Sequence, residues 1–132
     1  MVKISDAEYE VMKVIWKRKE ATSLEIINDL SSFSWNYNTI RTLIKRLHTK
    51  GAIEIIRKNG KTYTYAPVID EKKYRDEATR DLIKKLYNNS VNEFVCEYCQ
   101  ADKSSIENLK EVIKIVDERE EKEREKNKNK DK

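Results

Sequence analysis

Apolar residues recur at helical spacing in two segments near the start of the chain. The first segment spans residues 5–18, where Ser5 is placed as an N-cap and Glu8 completes a capping box. A shorter segment begins after Thr22 or Ser23. The apolar residues on one side of this second segment are Leu24, Ile27 and Leu30. The pattern predicts two short amphipathic helices.

A third helix is predicted over residues 38–50, after a polar and aromatic connector, with Gly51 placed where a left-handed residue ends a helix. Its buried stripe has the spacing i, i+3, i+4, i+7 and consists of Ile40, Leu43, Ile44 and Leu47. At about 100° per residue, the opposite face consists of Asn38, Arg41, Thr42, Lys45 and Thr49. That outward face carries cations, hydroxyls and an amide, and it has no carboxylate.

Two runs rich in β-branched and aromatic residues follow, at 52–58 and 61–66. The dipeptide Asn59-Gly60 between them is a strong signal for a two-residue hairpin turn. This turn predicts that Ile56 pairs with Tyr63 and Ile55 with Thr64. The basic residues at the predicted tip are Arg57, Lys58 and Lys61. Three helices followed by a hairpin are the element order of a winged helix-turn-helix.

After Pro67 the pattern is helical again, with apolar stripes in 70–87, 91–100 and 106–116. Ser104 and Glu107 are placed as a capping box for the last of these helices. Three short amphipathic helices cannot bury their stripes within one copy, so we expect them to pack against a second copy. The predicted dimerisation residues are Tyr74, Ala78, Leu82, Leu86, Phe94, Ile106, Leu109, Val112, Ile113 and Val116.

The predicted fold is mainly α with a small β-hairpin, in two parts. We expect a winged helix-turn-helix DNA-binding domain at 1–68, a helical dimerisation domain at 69–118 and a charged, frayed tail at 119–132. The 132 residues, of which 39% are charged, 38% hydrophobic and only 2 are Gly, fit a small helix-rich protein and exclude a large multi-step enzyme. No segment approaches ~18 consecutive apolar residues, and no basic-then-apolar leader is present, so we expect a cytoplasmic protein without membrane insertion.

The positive charge is concentrated in the first half of the chain. Residues 1–66 hold 12 Lys and Arg against 7 Asp and Glu, whereas residues 67–132 hold 16 against 17. A basic half favours a polyanionic partner, and the second helix of a helix-turn-helix lies in the DNA major groove. Arg41 is suited to guanine, Asn38 to adenine, and the other cations to phosphate. The predicted DNA-binding residues are Asn38, Thr39, Arg41, Thr42, Lys45, Arg46, Arg57, Lys58 and Lys61.

Other chemistry receives little support from the sequence. Cys96 and Cys99 form one isolated C-x-x-C, whereas a tetrahedral thiolate site needs about four ligands and the single histidine, His48, is distant along the chain. We therefore expect two small buried hydrophobic residues here rather than a metal or redox site. Without a catalytic constellation, we predict no enzyme and no cofactor. A winged-helix protein-interaction module and a thiol- or metal-responsive repressor of the copper type stay open as alternatives.

The segments 4–16 and 38–47, together with Trp35 and Lys50-Gly51, resemble the penicillinase-repressor family (BlaI/MecI/CopY type). The similarity runs from about Ile4 to Val116. It implies a homodimeric winged-helix repressor that binds double-stranded DNA at a palindromic operator, commonly before genes for β-lactam resistance, and dimerises through its C-terminal helices. By the same resemblance, the recognition-helix residues that meet DNA are Thr39, Arg41 and Thr42.

The chain also departs from the family pattern. Tyr37-Asn38 stands where relatives often have Pro-Lys. Relatives released by a membrane-bound sensor protease system are cut at an Asn-Phe bond in the short C-terminal helix, where this chain has Glu97-Tyr98. The resemblance thus offers Glu97-Tyr98 as a cleavage site and such a sensor as a partner. The copper-responsive branch carries paired C-x-C motifs, and their absence here argues against copper sensing.

Overall fold

The computed structural model describes residues 2–102 and 104–130, with the backbone alone at residues 104, 105 and 130. The elements along this part of the chain are α1 (Asp6–Arg18), β1 (Ala21–Thr22), α2 (Ser23–Asp29), α3 (Tyr37–Thr49), β2 (Ile53–Asn59), β3 (Thr62–Pro67), α4 (Glu71–Tyr87), α5 (Val91–Ala101) and α6 (Ser104–Lys130). Two compact units are present, Met1–Thr79 and Arg80–Lys132, so that α4 begins in one and ends in the other.

The first unit has a hydrophobic core between its three helices and a small sheet. The predicted stripe of α3 is buried in this core, as are Met12 and Ile15 of α1. The prediction for α2 was partly wrong, because Leu24 is 58% exposed and Ile26 is buried in its place beside Leu30. Since α2 is only seven residues long, its sequence contains too little periodicity to fix its buried face.

An ion pair joins the start of α1 to the end of α3. The Ser5 hydroxyl accepts from the backbone N–H of Glu8 at 3.2 Å, as predicted for the N-cap. The second half of the predicted capping box was wrong, because Lys50 Nζ donates to the two carboxylate oxygens of Glu8 at 2.9 and 2.7 Å. Glu8 is only 3% exposed, and Lys50 also donates to the carbonyl of Lys3. The buried carboxylate of Glu8 is therefore paired with a lysine at the end of α3, 42 positions later in the sequence.

The end of α3 confirms the expected role of Gly51. This residue has a φ of +78°, a left-handed conformation in which a side chain is strained. Its N–H donates to the His48 carbonyl at 3.0 Å, and the N–H of Ala52 donates to the Leu47 carbonyl at 3.0 Å. These two bonds form a Schellman motif, which satisfies the last carbonyls of the helix and turns the chain into β2.

A capping box at α2 was not predicted from the sequence, although its residues are present there. The Thr22 hydroxyl accepts from the N–H of Glu25 at 3.2 Å, and the Glu25 carboxylate accepts from the N–H of Thr22 at 3.0 Å. Arg18 at the end of α1 then reaches both Glu25 and Asp29 with bonds of 2.6 to 2.8 Å. These contacts fix the angle at which α2 leaves α1.

The sheet has three antiparallel strands in the order β1-β3-β2, with β1 as an unpredicted edge strand. The predicted hairpin register was wrong. Asn59 pairs with Thr62, so the turn is Gly60-Lys61, and Gly60 occupies its first position with a φ of +63°. Glycine at that position is the preference of type II′ hairpin turns. A bulge at Ile56 then shifts the register by one residue, because Arg57 pairs with Thr64 but Ile55 pairs with Tyr65.

Aromatic contacts hold the beginning of α4 within the first unit. Trp16 Nε1 donates to the Ile69 carbonyl at 3.0 Å, and the Tyr74 ring lies 6.0 Å from that of Tyr9 and 5.9 Å from that of Trp16. Because Tyr74 packs on α1, the first unit extends to Thr79, beyond the expected boundary at residue 68.

The second unit consists of helices with little buried surface. Asn88 and Asn89 have left-handed φ values of 54° and 70° and end α4, and the Ser90 hydroxyl then caps α5 by accepting from the N–H of Glu93. No residue of α4 or α5 is buried, and the described side chains of α6 are exposed except for Leu109, which is half-buried. In the described part of the chain, no helix has both the length and the apolar character needed to cross a membrane.

The charged segment expected to fray from residue 119 is helical through Lys130. Glu, Lys and Arg are strong helix formers, and pairs such as Glu120 and Arg124, 3.5 Å apart at i and i+4, support the helix further. The predicted capping box of α6 depends on the Ser104 side chain, which lies outside the described residues.

The ion pair between Glu8 and Lys50 generates a stability prediction. Lys50→Met leaves a buried carboxylate without its cation, and we expect the free energy of unfolding to fall by about 1–3 kcal/mol. Urea denaturation followed by tryptophan fluorescence measures this change. Lys45→Met, on the exposed face of the same helix, is the matched control and should be near neutral. Equal stability of the two variants would contradict the role given to the pair.

Candidate nucleic-acid interface

The outward face of α3 is positioned by the cap at its start and the stripe on its other side. The Asn36 side-chain oxygen accepts from both the N–H and the hydroxyl of Thr39, at 2.8 and 3.0 Å. This cap starts the helix at Tyr37, one residue earlier than predicted. Because the apolar stripe is buried, the residues predicted to face outward are exposed, namely Asn38, Arg41, Thr42, Lys45 and Thr49.

A groove of about 660 Å³ lies between α3 and the hairpin. It is lined by Ser23, Asn38, Arg41, Thr42, Ile44, Lys45, His48, Ile55, Lys61, Tyr63 and Tyr65. The structure therefore brings together five of the predicted DNA-binding residues, four of them on α3 and the fifth, Lys61, at the hairpin turn. None of these lining residues is acidic, so the described groove presents cations and uncharged hydrogen-bonding groups.

Arg41 lies at the centre of this arrangement. Its guanidinium carbon is 5.4 Å from the centre of the Tyr37 ring, a cation–π contact that restricts the side chain while leaving its donors exposed. Burial raises the pKa of Tyr65, and the neighbouring Tyr63 raises it further, whereas the positive charge of Arg41 acts in the opposite direction. Tyr65 is therefore a neutral hydroxyl at physiological pH and is able to donate a hydrogen bond.

The threonine hydroxyls have partners within the helix. Thr42 Oγ1 donates to the carbonyl of Asn38 at 2.9 Å, and Thr39 Oγ1 donates to the cap at Asn36. Each hydroxyl oxygen keeps acceptor capacity, and each methyl group is able to make apolar contacts. Thr39 and Arg46 are exposed on α3 and do not line the groove.

The three basic residues of the hairpin do not form one cluster. Lys61 lines the groove, and Lys58 Nζ lies 5.6 Å from the centre of the Tyr63 ring on the same face. Arg57 pairs with Thr64, and since neighbouring residues of a strand alternate between faces, it lies on the face opposite to Tyr63. There it forms an ion pair with Glu20. The expected clustering of Arg57 with the two lysines was therefore wrong, because strand alternation places Arg57 and Lys58 on opposite faces of the sheet.

Several lining residues were not identified from the sequence. Tyr63 and Tyr65 are two positions apart in β3 and therefore share one face of the strand, which borders the groove. This alternation was the signal that could have identified them. Ser23 and His48 come from α2 and the end of α3, and their approach to the groove depends on tertiary packing that no local pattern signals.

The predicted dimerisation residues divide into two groups. Tyr74 packs within the first unit, and Ala78, Phe94 and Leu109 are half-buried. The others are 46 to 64% exposed, namely Leu82, Leu86, Ile106, Val112, Ile113 and Val116. The second unit thus exposes a set of large apolar side chains on its helices.

The predicted cleavage and thiol residues lie on α5. Glu97 and Tyr98 are both exposed, and a hydrogen bond with Glu97 raises the pKa of Tyr87. The expectation that both cysteines are buried was wrong, because Cys96 is exposed and Cys99 is half-buried in a unit with little core. Within the described residues, no group of three or more His, Cys, Asp or Glu side chains is arranged to hold a metal ion.

Comparison with known proteins connects this geometry to a family. The penicillinase repressor family model matches residues 4–118. A penicillinase repressor from Bacillus licheniformis is 39% identical over 116 residues, which cover 87% of this chain and 90% of the relative. The methicillin resistance regulatory protein MecI from Staphylococcus aureus strain N315 is 32% identical over 117 residues, which cover 88% of this chain and 94% of that protein.

A solved structure is similar to about half of the chain. The solution structure of the DNA-binding domain of the repressor BlaI is 47% identical, with a TM-score of 0.50. The matched region covers 55% of this chain and 89% of the BlaI domain.

Proposed function

The chain belongs to the penicillinase repressor family of DNA-binding transcriptional repressors, and we propose that it acts as a homodimer on a two-fold symmetric operator. The observation that carries this proposal is the groove face of α3, whose exposed residues are basic or uncharged and are joined by Lys61 from the hairpin. Occupation of the operator by the dimer then blocks access to a promoter.

We assign the recognition of DNA bases to side chains in the first half and the middle of α3. Arg41 offers two parallel donors to guanine, and Asn38 offers an amide to adenine. Thr39 and Thr42 contact phosphate or a thymine methyl group. The lysines that flank this face, Lys45 and Lys61, contact phosphates and supply affinity that depends on salt.

The argument for a homodimer rests on the second unit. Helices in a stable domain bury an apolar face, yet α5 has no buried residue and the described side chains of α6 include only one that is half-buried. A second copy of the chain offers the same exposed stripe and so allows an interface in which each copy covers the other. Two recognition helices then reach successive major grooves on one face of DNA if they are about 34–36 Å apart.

The relatives suggest which genes are regulated. Their names refer to penicillinase and to methicillin resistance, and we extend this to control of β-lactam resistance by the present chain in the cytoplasm. Release by a membrane-bound sensor protease system belongs to the same proposal. Glu97 and Tyr98 are exposed on α5, so the bond between them lies at the surface of the unit that we assign to dimerisation.

Arg41→Ala tests the assignment of base reading. We expect it to cost ~1–3 kcal/mol on a duplex that the protein has selected from a random-sequence pool, and much less on random duplex, because only the selected duplex offers the correct base. Fluorescence anisotropy titrations on both duplexes measure the difference. Arg46→Ala is the matched control, since Arg46 is outside the groove and should lose similar affinity on both. Equal losses of affinity for Arg41→Ala on the two duplexes would contradict base reading, because they would show that Arg41 contacts only phosphate.

A double variant tests the dimer. Leu109→Glu with Ile113→Glu places two charges in the apolar stripe of α6, and we expect a monomer with weak DNA binding. Sedimentation equilibrium gives the mass. Lys114→Glu makes an equal change of charge on the opposite side of α6 and should leave a dimer. A double variant with the same mass as the unaltered chain would contradict the proposed interface.

A further inference from the structure

Arg57 differs from the other cations of the predicted DNA-binding surface. Within the described residues, it is the one member of that set that forms an ion pair, and its partner is Glu20. Both side chains are substantially exposed, at 60% for Arg57 and 49% for Glu20. The pair joins residues 37 positions apart, from the edge of the sheet to the hairpin.

The sheet geometry explains how the two side chains meet. Thr22 of β1 and Arg57 of β2 both pair with Thr64 of β3, so these three residues form one row across the sheet. Side chains of paired residues share a face, and residues two apart in an extended segment do as well. Glu20 lies in the bend immediately before β1, and its carboxylate reaches Arg57 on this face of the sheet. The ion pair crosses over the central strand.

Two backbone features establish this meeting. Lys19 has a φ of 70°, which ends α1 and turns the chain into the edge strand immediately after Glu20. The bulge at Ile56 rotates the following residues of β2 relative to Ile55, so that Arg57 lies away from the groove while Lys58 lies on the groove face. Strand alternation separates the two adjacent cations, and the bulge decides that Lys58 rather than Arg57 lies on the groove face.

We propose that Glu20 holds Arg57 away from the DNA backbone and thereby limits the sequence-independent affinity of the repressor. The inference rests on the proposed DNA-binding function. Phosphate contacts are made equally on every sequence and carry no information about the operator, so an additional phosphate contact strengthens binding to random DNA. Loss of the charge on Glu20 removes this ion pair, and the exposed guanidinium of Arg57 then becomes available to a phosphate.

The experiment uses the full chain and random duplex DNA. Binding is measured between 50 and 200 mM salt for the unaltered chain, Glu20→Gln, Arg57→Gln and the double variant. We expect Glu20→Gln to steepen the plot of log affinity against log salt by ~0.9, which is a further loss of about 3.5-fold over this range. Arg57→Gln should leave the slope unchanged, and the double variant should lose the steepening.

Glu54→Gln is the matched control, because it removes an equal charge from an exposed position of the same sheet. It separates the release of Arg57 from a general reduction in negative charge, and we expect it to keep the slope of the unaltered chain. Equal slopes for Glu20→Gln and Glu54→Gln would overturn the inference. A slope that Arg57→Gln flattens by ~0.9 would overturn it as well, because Arg57 would then already contact a phosphate.

The design distinguishes this inference from the function on which it rests. Failure of the unaltered chain to bind any duplex, even at low salt, overturns the proposed function and the inference together. Binding by the unaltered chain with no effect of Glu20→Gln on the slope overturns the inference alone.

Discussion

The burial of one face of α3 is the constraint on which the rest of the structure depends. Its four apolar side chains lie in the core formed with α1, α2 and the sheet, and this fixes the rotation of the helix about its axis. The residues on the opposite side of the helix therefore face solvent, and Arg41 is among them. The Asn36 cap and the Schellman motif at Gly51 fix where that face begins and ends. A change of rotation would replace the groove residues by apolar ones, so the stability of the core and the composition of the groove surface have one cause.

The sheet applies a second constraint to the same surface. Its strands place Tyr63 and Tyr65 beside α3, and the bulge at Ile56 decides which cation of β2 lies on their face. Lys61 at the turn lines the groove, whereas Arg57 lies on the other face, where it forms an ion pair with Glu20. The bulge therefore determines which of the two adjacent cations, Arg57 or Lys58, lies on the groove face.

The local periodicity was sufficient to predict the helices, the stripe of α3 and the role of Gly51, because these depend on residues within a few positions of one another. Local periodicity could not predict the ion-pair partner of Glu8 or of Arg57, because each ion pair joins positions about 40 apart in the sequence. The hairpin register was missed because Asn59-Gly60 and Gly60-Lys61 both suit a two-residue turn, and only tertiary packing selects between them. The edge strand β1, with two residues, is too short to leave a pattern. The helix α6 continues beyond its apolar stripe because Glu, Lys and Arg have high helix propensity. A prediction based on apolar periodicity alone therefore ended this helix too early.

The central claim is that two copies of this chain read one DNA site through paired α3 helices. The most direct measurement is a stoichiometric anisotropy titration of labelled duplex from upstream of the chain's own gene, in the presence of excess unlabelled random duplex. The account predicts binding that survives the competitor and saturates at two chains per duplex. Binding that the competitor abolishes would contradict sequence-specific recognition. No binding even at low salt would indicate that the groove face of α3 meets a protein partner instead.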